Sequence, residues 1–107
     1  MLEMAYVRTT TFTLTKDEAN ELIPGSDAYN AIVGARKYLA QSMQGLIQSN
    51  VWQSSISGGR VKFVVFNEWN TLEDLQTYAD HPAIKQMEEL LNSDTEPLNV
   101  AVYEVVG

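Results

Sequence analysis

The chain has 107 residues, with 14 Asp and Glu against 7 Lys and Arg, for a net charge of −7. That length makes one domain with a single core, and the acidic balance argues against nucleic acid, whose phosphates need clustered Lys and Arg. With no cysteine and one histidine, disulfides, thiolate catalysis and multi-histidine metal sites are excluded.

Residues Ala5 to Leu14, AYVRTTTFTL, are rich in Thr, Val, Tyr and Phe, and predict a first strand. Alternation puts Tyr6, Arg8, Thr10, Phe12 and Leu14 on one face, with Val7, Thr9, Thr11 and Thr13 on the other. Thr15-Lys16-Asp17-Glu18 reads as a capping box opening a short acidic helical turn, which Pro24-Gly25 stops. A helix then runs through DAYNAIVGARKYLAQSM, with Ala28, Ile32, Ala35, Leu39 and Leu46 expected on one side and Gly45 at its C-terminal cap. Gly34 within it suggests close packing against a neighbour.

A second strand is expected around Ile47 to Ile56, followed by a hairpin turn at Ser57-Gly58-Gly59-Arg60, where Gly-Gly supplies positive φ angles. VKFVVFNEWN is a third strand, nearly buried on both faces, with Val61, Phe63, Val65 and Trp69 on one side and Val64 and Phe66 on the other. Thr71 precedes Asp74 by three and marks a helix N-cap. The helix that follows carries Leu72, Leu75, Ala79, Met87 and Leu90 on its apolar face, breaks near Asp80 and restarts with Pro82 in its first turn. A polar loop at residues 92–97 leads to a last strand, LNVAVYEVV.

The order β-α-β-β-α-β predicts an α+β fold over residues 1–107. It is a ferredoxin-like sandwich, a four-stranded antiparallel sheet with two helices on one face. The other sheet face is too apolar for water, so a second copy of the chain is the expected cover. The unbroken apolar run in the central strand ends after Phe66, so no membrane span is expected. The opening MLEMAYVRTT lacks the pattern of a secretory leader, and the expectation is a cytoplasmic protein.

Five residues stand out for chemistry. Arg8 lies mid-strand beside aromatic neighbours, where a guanidinium must pair or bind an anion; Glu104 on the last strand is the expected partner. Asn67 and Trp69 end the third strand, and Trp69 serves either as core or as the wall of a pocket for a planar ligand. Tyr78 on the broken helix presents a hydroxyl to a ligand or to a backbone group. His81 is either a general base, since imidazole titrates near neutrality, or a cap for the restarted helix. The pocket is expected between the sheet and this helix, where the break opens space.

The segments YVRTTTFTLT and VVFNEWNTLEDLQTYADHP resemble the antibiotic-biosynthesis-monooxygenase-type branch of the dimeric α+β barrel superfamily. Tyr78-x-x-His81-Pro82 is also similar to the stress-responsive A/B barrel branch. The resemblance implies a homodimer that binds a small apolar or aromatic molecule, with Asn67, Trp69 and Arg8 contacting substrate and Tyr78 and His81 as catalytic candidates. It implies cofactor-independent oxygenation of an aromatic or quinol-like substrate, with no cofactor and no metal. A non-catalytic stress-responsive binding protein is the alternative. A haem-degrading role fits less well, because the late helical histidine position falls near Glu88 and the first strand holds no Asn. The polyketide-cyclising pattern lacks its second histidine, since that position is Ile84.

Overall fold

A computed structural model describes residues 4–15, 17, 33–54, 58–91 and 98–107. The expected helical turn after Thr15 and most of the helix before Val33 lie outside the described residues. In chain order the elements are β1 (Tyr6–Thr15), α1 (Ala35–Ser42), β2 (Leu46–Gln53), β3 (Arg60–Trp69), α2 (Leu72–Ala79), α3 (Pro82–Leu91) and β4 (Asn99–Glu104). The four strands form one antiparallel-paired sheet in the order β2-β3-β1-β4. This is the expected split βαβ arrangement: β1 and β2 flank β3, and β4 returns to the free side of β1.

Register follows the alternation in the sequence. Arg8 pairs with Asn67, Thr10 with Val65 and Phe12 with Phe63, so these side chains share the face beneath the helices. That face is buried: Phe12, Val61, Phe63, Val65, Asn67 and Trp69 are each nearly or fully inaccessible. Phe12 and Phe63 stack with centroids 5.4 Å apart and planes 11° off parallel, which adds about 1 kcal/mol beyond their burial. The opposite face carries Trp52 against Phe66, centroids 5.0 Å apart, and Tyr103; Trp52 and Tyr103 are 52% and 56% exposed.

The connections are made by the residues their geometry requires. Gly58 and Gly59 take φ of 61° and 75° just before β3, a region that glycine enters without strain. Thr71 accepts a hydrogen bond from Asp74 N–H at 3.0 Å, capping α2. The helix stops at Asp80 and restarts at Pro82, whose missing N–H costs nothing in a first turn. Gly45 has φ 90°, and a Cβ there would overlap the Asp74 carboxylate. The turn into β2 therefore nests against the start of α2, held also by Asn70 N–H on the Gly45 carbonyl at 2.8 Å.

Three expectations about the helices are corrected. Leu46 begins β2 instead of lying on the helix, because the Gly45 turn ends the helical path first; α1 itself stops at Ser42. The inward side of this helix takes in Arg36 and Ala40, and Val33 before it, besides the expected Leu39, which is half-buried against the core. On the broken helix Leu75, Tyr78 and Ile84 form the inner face, whereas Leu72 at the first turn is 42% exposed. No helix among the described residues is long and apolar enough to cross a membrane.

Candidate functional site

The helix-side core divides into two apolar clusters. One gathers Ala40, Trp69, Leu75, Tyr78 and Ile84; the other gathers Phe12, Val61, Phe63 and Val65. The buried polar residues Arg8, Thr10, Arg36 and Asn67 belong to neither cluster. They come from β1, α1 and β3, and they join with side chains from α2 and α3 into two hydrogen-bonded groups.

The first group is centred on Asn67, which is 1% exposed. In the amide orientation that satisfies its neighbours, Oδ1 accepts from Arg36 Nη1 at 3.2 Å and from the Tyr78 hydroxyl at 3.1 Å. Its nitrogen donates to the Phe66 carbonyl and to Ser49 Oγ. Arg36 Nη1 also donates to the Tyr78 oxygen at 3.1 Å, closing a triangle. The Tyr78 ring lies against Trp69, centroids 5.1 Å apart and planes 38° off parallel.

The second group is an ion pair. Arg8 grips Glu88 through both terminal nitrogens, at 2.7 and 3.0 Å, and Arg8 Nη1 also donates to Thr10 Oγ1 at 3.1 Å. The Thr10 hydroxyl donates to Glu88 Oε2 at 3.4 Å. The expected partner, Glu104, is wrong: it lies on β4 opposite Tyr6 and is exposed, while α3 brings Glu88 down onto the middle of β1. The Arg8 guanidinium also stands 5.9 Å from the centre of the Tyr78 ring, linking the two groups by a cation–π contact.

Of the five residues singled out from sequence, Asn67, Trp69, Tyr78 and Arg8 come together. His81 occupies the break between α2 and α3, half-buried, with Nδ1 accepting from Ala83 N–H at 3.1 Å. It caps the restarted helix, and its link to the cluster is a backbone bond to the Tyr78 carbonyl at 3.1 Å. Arg36 and Glu88 complete the arrangement without having been assigned a place in it from sequence. Arg36 was legible in principle, as a cation three residues after Val33 and four before Ala40. Further along α3 an open groove of about 300 Å³ is lined by Lys85, Glu88, Glu89 and Leu98.

Chemically the cluster offers a flat aromatic wall, hydroxyl and amide groups locked in orientation, and fixed positive charge in a dry setting.

The whole fold has close counterparts among solved structures. A candidate antibiotic biosynthesis monooxygenase from Deinococcus radiodurans superposes with a TM-score of 0.71 at 16% identity, over 95% of this chain and 93% of that one. Another from Nitrosomonas europaea gives 0.70 at 15% identity, over 99% and 94%. SnoaB, a cofactor-independent oxygenase from Streptomyces nogalater, gives 0.69 at 8% identity, over 96% and 94%. No protein-family model and no curated protein matches the sequence. The chain is thus an α+β protein with a ferredoxin-like sheet and helix layer. More narrowly, it shares that fold with solved structures described as antibiotic biosynthesis monooxygenases.

Proposed function

We propose that this protein binds a small aromatic molecule beneath its helices and oxygenates it without a cofactor. The observation that carries the reading is the buried Asn67–Arg36–Tyr78 triangle beside Trp69. A core needs no such group for stability, since buried charge is retained at a cost that apolar packing avoids. The fold is also shared with a cofactor-independent oxygenase.

A phenolic or quinol-like substrate that carries an acidic methylene can supply the electrons itself. Loss of a proton gives a carbanion, oxygen adds to that carbon, and the hydroperoxide loses water to leave a carbonyl. One O₂ is consumed and one water is released for each CH₂ converted to C=O. In this reading Trp69 stacks on the rings, and Asn67 and Arg8 help to hold the substrate. Tyr78 would pass the substrate proton on within the cluster, and His81 would fix the helix break instead of taking that proton, because with Nδ1 accepting the Ala83 N–H the neutral ring carries its hydrogen on Nε2. A dry, preorganised site strengthens each of these interactions.

The second reading is a non-catalytic binding protein. It is favoured by the saturation of the polar groups: Asn67 has four partners, and both Glu88 oxygens are held by Arg8. Oxygen uptake separates the two. A panel of anthrones and naphthohydroquinones incubated in air with the protein should consume oxygen faster than buffer alone, and Tyr78→Phe should slow it. Tight binding of the same compounds without oxygen consumption would establish the binding protein instead.

We further propose that the protein works as a cytoplasmic homodimer. The support is the sheet face bearing Trp52, Phe66 and Tyr103, which the helices leave open. A stable pair would bury roughly 1,200 Å² or more in total.

A further inference from the structure

We infer that the ligand of this site is an anion, and that it seats an anionic oxygen on the Nε–Nη2 edge of Arg36. The inference rests on the aromatic-ligand reading above and specifies the chemistry of the ligand.

Arg36 is 5% exposed. Its Nη1 is fully used by Asn67 and Tyr78, yet Nε and Nη2 have no hydrogen-bond partner among the described residues. These two nitrogens form the planar fork that a carboxylate fits with two parallel bonds. An unpaired buried donor is uncommon in folded proteins and requires an explanation.

Charge points the same way. Two guanidinium groups, Arg8 and Arg36, lie within this buried layer, and the carboxylate that reaches it among the described residues is Glu88. Both Glu88 oxygens are already committed to Arg8, and one also to Thr10. Arg36 therefore remains a buried cation without a counter-charge among the described residues, in a chain whose overall charge is −7. Such a cation calls for an anion rather than a merely polar neighbour.

The remaining orphan has the same polarity. Trp69 Nε1, on the ring packed against Tyr78, is fully buried and also unpaired. Every buried side-chain atom left unsatisfied among the described residues is a donor. What the site lacks is an acceptor, and a negative one satisfies both the hydrogen bonds and the charge.

The test compares 2-naphthoate with 2-naphthamide, which share a shape and differ in charge, by titration calorimetry on the full chain. The expected result is that naphthoate binds tighter by about tenfold or more. Arg36→Gln should erase that preference, so that naphthoate and naphthamide then bind alike. Equal affinities in the wild type, or a preference that survives in Arg36→Gln, overturn the inference and leave the aromatic-ligand reading standing. Binding of neither compound removes both. Should Arg36→Gln fail to fold, the wild type alone decides through 2-naphthol, whose absorbance reports its ionisation. Bound naphthol should ionise at lower pH than free naphthol; an unchanged or raised ionisation overturns the inference. Comparison of naphthoate with naphthol also separates a carboxylate from a phenolate as the group preferred.

Discussion

Arg8 and Glu88 stand 80 residues apart in sequence and meet through two contacts of 2.7 and 3.0 Å. The pair fastens the third helix to the middle of β1, so it orients the helix that carries one end of the candidate site. Removing one partner leaves the other charge stranded in a mostly buried place, with the Arg8 and Glu88 side chains 8% and 19% exposed. Glu88→Gln is expected to cost about 2–4 kcal/mol, somewhat below the range for fully buried pairs because Glu88 is partly wetted. Arg8→Met combined with Glu88→Leu should cost much less than the sum of the single changes. Urea denaturation of the four proteins gives the cycle; additive losses would mean that the pair has no coupling.

The nesting of Gly45 against Asp74 can be taken apart in the same way. Gly45→Ala should destabilise by about 2 kcal/mol or more, from its positive φ and from overlap with the carboxylate. Adding Asp74→Ala should return the steric part and leave the backbone part. Thr71→Ala, which removes only the cap on α2, should cost about 1 kcal/mol. Thermal melts of these variants would show whether the ranking holds.

Two tryptophans report on the two faces of the sheet. Trp69 is fully buried and Trp52 is 52% exposed. In the isolated chain Trp52→Phe should remove most of the acrylamide-accessible emission, and Trp69→Phe should remove the blue-shifted part. If the open faces pair, quenching of Trp52 must fall as protein concentration rises, and sedimentation must show a species of twice the 12.0 kDa chain mass. Concentration-independent quenching with a 12.0 kDa species would rule out the dimer.

His81 gives a discriminating variant. Its Nδ1 accepts the Ala83 N–H, so His81→Ala should lower stability by about 1 kcal/mol and leave aromatic binding unchanged. His81→Asn, which can restore a cap, should recover most of the loss. Intact stability with lost oxygen uptake would instead assign the imidazole to proton transfer.

Much of this architecture could be read from local rules. Alternation set the two faces of β1 and β3, because a strand's side-chain period of two leaves no other choice once Phe12, Phe63 and Val65 must be inside. Thr71, Pro82 and Gly58-Gly59 marked their turns because backbone geometry there is met by few residue types. Asn67, Trp69 and Tyr78 could be grouped because they share one strand end and the helix after it. The partner of Arg8 was not legible. Periodicity states which face a residue occupies but not which turn of a later helix crosses above it, and Glu104 on the neighbouring strand was as admissible as Glu88. Arg36 escapes the same rules: an apolar stripe through Ala35 and Leu39 admits no cation by residue type, so its burial shows only in the packing.

The strand order has a kinetic consequence. Arg8, Thr10, Asn67 and Trp69 stand on β1 and β3, the inner strands, each bonded to neighbours on both sides. The floor beneath a bound molecule is therefore the part of the chain that opens last, whereas its roof is helical and divided at Asp80 and His81. A guest would depart at the pace at which the roof lifts, not at the pace at which the floor unravels. For a molecule bound there, residence time would be set in the joint between α2 and α3.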